Sequence, residues 1–416
     1  MIKKIVPKFV ISWYHLFLSF LGALRYGFPA KKMKVIGITG TNGKSTTIDL
    51  AHLVLEKTGK KVASASSIRF KIGQDWEENK LKMTMPGRFY LQRFLKKALI
   101  KGCKYVIIEV TSEGVLQHRH RFIDFDIAIF TNLSKEHIER HGSYEKYREA
   151  KGKFFKGVRG LHILNMDDEN IGYFSQFLAE KKIGYSISEK SSNSLVVAKK
   201  VQVLQKGVSF YINDILFNLN LIGKFNVYNA LAAICLGLDQ EVSLNDCKDA
   251  IEKAQGIPGR MEEIYLGPFR VIVDYAFTPN ALKKVYETLK TNSDIVCVLG
   301  ACGGGRDKWK RKVLGGIASE YCRKVIITNE DPYDEDPMAI IEQVAEGVLN
   351  PIKILDRREA IKKALEVAQK GDVVVITGKG CEPWICVEKG KKIPWDDRKV
   401  VREEAQKLNI VFDKRT

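Results

Sequence analysis

The chain lacks most of the marks of an exported, metal-knuckled or nucleic-acid-binding protein. Its eight cysteines (103, 235, 247, 297, 302, 322, 381 and 386) form no Cys-x-x-Cys pair, and several stand in apolar runs. This excludes a zinc ribbon and reads as reduced, mostly buried thiols of a cytosolic protein. There is no internal repeat, no low-complexity tract and no helix-turn-helix, zinc-finger or RNA-binding signature. The formal charge of +19 and pI near 9.4 come mainly from lysines spread along the chain. Dispersed charge of this kind favours anionic small partners and a solvated surface over a nucleic-acid groove. Long hydrophobic runs are scarce too. The uncharged stretch from Phe9 to Leu24 is interrupted by Ser12, His15 and Ser19 and has no small-residue cleavage site. It also falls short of the ~20 residues a membrane span needs. Residues 5–30 are therefore expected to form a retained helix, delimited by Pro7 and Pro29 and flanked by Lys3, Lys4, Lys8, Arg25, Lys31 and Lys32. Such a segment either packs on the body of the protein or lies in a membrane interface, giving a cytoplasmic protein with a peripheral membrane contact.

What is present begins at Val35. The run Val35-Ile36-Gly37-Ile38-Thr39-Gly40-Thr41-Asn42-Gly43-Lys44-Ser45-Thr46-Thr47 is an apolar strand breaking into glycines before a helix. Backbone N–H groups in such a loop converge on phosphate, Lys44 reaches β/γ oxygens and the Ser45 hydroxyl suits Mg²⁺, so ATP is the expected cofactor. Ile38 stands where the common P-loop pattern has glycine, which makes this a variant loop. With 416 residues, 45% of them apolar, the chain can bury two substantial cores. Strands are expected over 34–39, 62–67, 104–110, 125–130 and 160–165, then a β-rich passage at 195–222 and helices over 226–255. Gln255-Gly256-Ile257-Pro258-Gly259 reads as a linker, and a second alternating series follows with strands near 269–275, 294–300, 323–328 and 372–377. The expected class is α/β: residues 1–32 a short hydrophobic helical segment, 33–255 a P-loop-type parallel-sheet central domain, and 256–416 a Rossmann-like C-terminal domain. Glu109 closes the strand at 104–110, where open parallel sheets bind ligands, and is a candidate Mg²⁺ ligand. The loop Thr131-Asn132-Leu133-Ser134-Lys135-Glu136-His137 crowds polar ligands after another buried strand.

These blocks, with Glu109-Val110-Thr111-Ser112-Glu113-Gly114, Ala150-Lys151, Asn226-x-x-Asn229-Ala230, Pro258-Gly259-Arg260-Met261-Glu262, Val273-Asp274-Tyr275-Ala276, Gly378-Lys379-Gly380 and Asp396-Asp397-Arg398, stand in the order of the Mur ligases. The chain resembles that family from about residue 33 onward, and within it the branch that adds the third residue of the peptidoglycan stem peptide. The resemblance implies an ATP- and Mg²⁺-dependent amide ligase acting through an acyl phosphate. Its partners would be an acidic peptide or UDP-sugar-peptide donor and a free amino acid. It implies Gly40, Thr41, Asn42, Gly43, Lys44, Ser45 and Thr46 at the phosphates. Asn132 and Asn229 would lie at the adenine, Asp274 at the ribose, and Arg260 would reach the nucleotide from beyond the linker. Ser45, Glu109, His137 and Lys151 would hold metal, Lys151 as a carbamate. Thr84, Ser112 and Arg119 would hold the donor, and Asp331, Tyr333, Lys379 and Glu382 the acceptor.

Four departures accompany the resemblance. Only some thirty residues precede the first strand, where the family has a UDP-binding domain. Phe277 replaces a histidine, Cys381 replaces another, and Glu330-Asp331-Pro332-Tyr333 stands for Asp-Asn-Pro-Arg. Tyr333 cannot fork a carboxylate as arginine does, so an acceptor with a cationic far end is expected over one with an anionic end. Two other readings stand beside this one: a cyanophycin- or polyglutamate-like amino-acid ligase, and a regulatory P-loop ATPase without ligase activity at a membrane.

Overall fold

The structure, a computed structural model, describes residues 7–81, 83–188, 196–290 and 293–410. It divides into two compact units, Met1–Lys135 with Ser143–Ala254, and Glu136–Gly142 with Gln255–Thr416. Lys3 and Lys4 lie outside the described residues.

The first unit opens with helix α1 (Lys8–Tyr26), which Gly27 ends in the left-handed conformation at φ 71°. The strands and helices that follow are β1 (Lys34–Thr39), α2 (Lys44–Glu56), β2 (Val62–Ala65), β3 (Arg69–Ile72), β4 (Asp75–Glu78), α3 (Arg88–Ile100), β5 (Tyr105–Glu109), β6 (Ile127–Phe130), β7 (Leu161–Asn165), β8 (Lys181–Ser186) and β9 (Val196–Val197). They build one nine-stranded sheet in the order β4-β3-β2-β5-β1-β6-β7-β8-β9. From β2 to β9 every pairing is parallel, while β3 and β4 add an antiparallel edge. The central strands are near-continuous Val/Ile runs because both faces are covered. On one face α2 meets the Ala-rich helix Phe225–Asp239 so closely that a Cβ on Gly237 would lie 2.4 Å from Val54. On the other, Phe154, Phe155 and Phe174 pack in edge-on contacts beneath β6.

The sequence places the central strands well and the edges poorly. β6 begins at Ile127 rather than 125, because Asp126 turns its carboxylate to accept Val35 N–H at 2.7 Å. The β3–β4 hairpin escapes the pattern reading because Asp75-Trp76-Glu77-Glu78 is exposed throughout and shows no alternation. Beyond β9, the β-rich passage forms a separate antiparallel sheet of Lys199–Leu204, Gly207–Ile212 and Ile215–Leu219. The long helical stretch breaks in two, and Ser243 caps the second piece, Leu244–Glu252.

The second unit carries a six-stranded sheet. Its order is Glu262–Leu266, Phe269–Val273, Val373–Ile376, Ile295–Leu299, Lys324–Ile327 and Ile352–Lys353. The first pairing is antiparallel and the rest are parallel. The edge strands Glu262–Leu266 and Ile352–Lys353 were not expected from the sequence, the first because it alternates only weakly and the second because it is two residues long. Segment Glu136–Gly142, which falls within the 33–255 span expected of the central domain, belongs to this second unit. Asp307 accepts the N–H groups of Ile138 and Glu139 at 3.2 and 2.8 Å, and Lys310 pairs with buried Glu136 at 2.9 Å. Among the described residues no helix is long and apolar enough to cross a membrane.

Candidate active site

Parallel strands place their carboxyl ends on one edge of the first sheet, and the loops there carry the chemistry. β1 runs straight into Gly40–Gly43, and α2 starts at Lys44. Gly40 has φ 153° and Gly43 φ 82°, both in the left-handed half of backbone space that favours glycine. Space demands glycine as well. A Cβ at Gly40 would sit 1.9 Å from the Thr131 hydroxyl, and one at Gly43 would sit 2.3 Å from Asn229 Oδ1. Asn132 braces the loop in return, its Oδ1 accepting Asn42 N–H at 2.9 Å and its amide donating to the Asn42 carbonyl at 3.0 Å. Asn229 is itself held by Asn226 at 2.9 Å and accepts from Thr47 at 3.3 Å. Asn132 and Asn229 thus stand against the phosphate loop. Thr131, which donates to the Asn42 carbonyl at 2.8 Å, and Asn226 are supports that stand in the motif blocks without a role assigned from the sequence.

Charge gathers around this loop. Lys44 Nζ donates to the carbonyls of Gly40 and Thr41 at 3.1 and 2.9 Å and lies 3.8 Å from Glu109 Oε1. Glu109, at the end of β5, accepts from the Ser45 hydroxyl at 3.1 Å and from Ser67 N–H at 2.7 Å. Lys151 is fully enclosed. Its amine donates to the Gly40 carbonyl at 2.8 Å and lies 4.9 Å over the Tyr147 ring. Burial, helped by the nearby charge of Lys44, pushes its pKa well below the ordinary lysine value. A buried, readily deprotonated amine is a nucleophile, so this position suits a carbamate. Among the described residues no group of three His, Cys, Asp or Glu side chains is assembled to hold a metal. The donor set here is one carboxylate and one hydroxyl, which fits Mg²⁺ bound largely through phosphate and water.

Thr84, Ser112 and Arg119 come together in the same unit. Ser112 opens the short helix Ser112–Leu116 behind the Thr111 cap. Arg119 donates to Gln117 Oε1 at 2.7 Å and to the carbonyl of Met85, next to half-buried Thr84. A Cβ on Gly114 would meet Met85 Sδ at 2.4 Å, which shows how tightly these segments close. Arg88, which donates to the Gln117 carbonyl at 2.7 Å, adds a second guanidinium that only its place after Pro86-Gly87 hinted at.

The remaining residues belong to the second unit. His137 stands at φ 58° just before the four-residue helix Ile138–His141. Asp274, buried at the end of its strand, accepts Met261 and Ala276 N–H at 2.7 and 2.6 Å. Arg260 lies 4.1 Å over the Tyr275 ring. Lys379 is fully buried and bonds both Asp331 at 2.9 Å and Glu382 at 2.5 Å. Burial opposes its charge, yet these carboxylates raise its pKa. Asp331 also accepts Cys386 N–H at 2.7 Å, and Glu382 accepts from Tyr275 at 3.1 Å. Tyr333 sits at φ 53° against Gly304. Arg306 and Asp307 were missed, although the glycine run Gly303-Gly304-Gly305 after a strand marks such a loop.

Comparison with known proteins finds relatives along most of the chain. The family model for the Mur ligase middle domain matches residues 38–237, and that for the Mur ligase glutamate ligase domain matches 259–380. A UDP-N-acetylmuramoyl-L-alanyl-D-glutamate–2,6-diaminopimelate ligase of Syntrophomonas wolfei is 36% identical over 402 residues, covering 93% of this chain and 81% of the relative. One of Bacillus cereus is 35% identical over 404 residues, with coverage of 93% and 81%. A solved ligase of the same name matches with TM-score 0.63 and 30% identity over 91% of this chain and 79% of its own. Mycobacterium tuberculosis folylpolyglutamate synthase, at 15% identity and TM-score 0.72 over 87% and 92%, shares the fold. On sequence and structure together, the chain belongs to the Mur ligase family.

Proposed function

We propose that the chain is an ATP- and Mg²⁺-dependent ligase that joins a free amino acid to the carboxylate of a peptidoglycan-precursor peptide of the UDP-N-acetylmuramoyl-dipeptide class. The observation that carries this reading is the convergence of Lys44, Ser45, Glu109 and Lys151 on one glycine-rich loop in a chain whose relatives are named ligases. In the reaction, the donor carboxylate attacks the γ-phosphate, ADP leaves, and the amine of the amino acid displaces phosphate. Lys44 exchanges two loop carbonyls for phosphate oxygens and steadies the charge that develops on transfer. Mg²⁺, when bound, neutralises phosphate charge, with Ser45 and Glu109 as its ligands and His137 and a Lys151 carbamate as further ones. Arg119 and Arg88 offer cations to the anionic donor. Lys379 orients Asp331 and Glu382, and these three with Tyr333 would meet the acceptor. Residues 5–30 supply a peripheral membrane contact.

The test is incubation with ATP, Mg²⁺, UDP-N-acetylmuramoyl-dipeptide and a pool of amino acids, with products identified by mass. Phosphate release that requires both donor and acceptor, and that Lys44→Ala abolishes, supports the proposal. Equal ATP hydrolysis with and without acceptor refutes it in favour of a regulatory ATPase. A product lengthened by many residues refutes it in favour of a polymer-forming ligase.

A further inference from the structure

Helix α1 has two unlike faces. One is docked. Ser12 Oγ lies 2.7 Å from His118 Nε2, Ser19 Oγ donates to the His118 carbonyl at 2.8 Å, and Ala23 is buried. Gly22 fits against α3, where a Cβ would touch the Arg88 carbonyl group at 3.6 Å. The helical period puts Phe9, Trp13, Phe17, Phe20 and Leu24 on the opposite side. Four of them stay largely in solvent, Phe9 at 67% exposed, Trp13 69%, Phe17 57% and Leu24 55%, while Phe20 packs partly against the rings of Phe28 and Phe122. Soluble surfaces scatter single apolar residues, but a continuous aromatic stripe along a 19-residue helix marks an interaction site. The charge beside it has one sign. Arg25, Lys31 and Lys32 are exposed at its carboxyl end, and the chain has no Asp or Glu before Asp49.

We infer that this stripe inserts into the interface of an anionic lipid bilayer, with Trp13 and the phenylalanines at headgroup depth and the basic residues on the phosphates. Aromatic side chains suit that boundary, and cations beside an acid-free helix complement an anionic leaflet as they would not complement a neutral or basic partner. The inner face keeps the helix anchored to the body, so binding carries the whole first unit to the membrane. The inference rests on the membrane-contact part of the proposed function and is independent of ligase chemistry.

The test is cosedimentation of the full chain with vesicles of phosphatidylcholine alone and of phosphatidylcholine with about one-third phosphatidylglycerol. We expect binding to the anionic vesicles, with a blue shift in tryptophan emission that Trp13→Phe removes. The triple variant Phe9→Ser, Trp13→Ser, Phe17→Ser should keep its melting temperature and its ATP turnover. It should lose at least ~10²-fold in vesicle affinity, the scale of three partly buried side chains. Absence of binding overturns the inference. So does binding that the triple variant retains and that about 0.5 M salt removes, because that is adsorption by net charge alone. A dimer that the same variant dissolves, with no vesicle binding, also overturns it and gives the stripe to a second copy.

Discussion

Replacing Lys151 separates two roles for a buried cation. As an ordinary amine it donates to the Gly40 carbonyl at 2.8 Å and more weakly to Thr39 Oγ1 at 3.4 Å. Lys151→Ala then removes both hydrogen bonds and leaves a cavity, at a cost of about 2–4 kcal/mol of stability. Lys151→Met refills most of that volume and should recover much of it. As a carbamate the residue does more. Neutral amine adds CO₂ and releases a proton, giving an anion beside Lys44 and the phosphate loop. Both variants should then lose at least ~10²-fold in ligase rate, the scale of a mispositioned catalytic metal, and Met should recover nothing. Short carboxylates should rescue Ala in part by entering the cavity. The pH sign is fixed by the depressed pKa: burial keeps the amine deprotonated at a lower pH than usual. Because carbamate formation releases a proton, activity in CO₂-depleted buffer should fall more at pH 6.5 than at pH 8.5. Steady-state phosphate release and a ¹³CO₂ adduct signal in NMR report the two effects. A fully active Lys151→Met variant, or no ¹³C adduct in an enzyme indifferent to CO₂, refutes the carbamate.

Three further outcomes follow from the geometry. Gly40→Ala should cost ATP affinity at least tenfold by isothermal titration, since its Cβ would lie 1.9 Å from Thr131 Oγ1 in a backbone strained by ~1–3 kcal/mol; an unchanged affinity would mean that the loop relaxes freely. Lys310→Met strands the buried Glu136 carboxylate and should destabilise the fold by ~3–5 kcal/mol in thermal melts, while Glu136→Gln in the same chain returns most of it; additive losses would show that the pair is not coupled. Burial depresses the pKa of His118 and pushes that of His120 down to about 3. Their neutral folded forms therefore favour the fold above the unfolded pKa near 6.5, and as pH drops below it stability should fall by about 1.4 kcal/mol per pH unit through His120, with a smaller loss from the solvent-screened His118. Urea midpoints at pH 7.5, 6 and 5 check this, and a His120→Phe variant with an unaltered slope would contradict it.

How much of this was readable in advance depends on sequence separation. The phosphate loop was legible because one contiguous stretch supplies its strand, its glycines and its lysine. The residues that hold it were less so. Ser67 reaches Glu109 across 42 positions, Asn132 reaches Asn42 across 90, and no local pattern announces either bond. The second unit makes the same point with its departures from the family motif. Phe277 lies edge-on to Tyr275 with ring centroids 5.0 Å apart, and Lys310 stacks on Phe277 at the same distance. Tyr275 bonds Glu382, Glu382 bonds Lys379, and Lys379 bonds Asp331, two residues before Tyr333. Residues that look like independent exceptions along the chain are thus linked through one polar chain inside the unit. A single change such as Tyr333→Arg would place a new cation beside Arg306 and Asp331, whose charges already act on Tyr333, and Asp331 is already engaged by Lys379. A cation at position 333 would therefore compete with Lys379 for Asp331, so residues 331 and 333 are expected to tolerate charge changes only in concert.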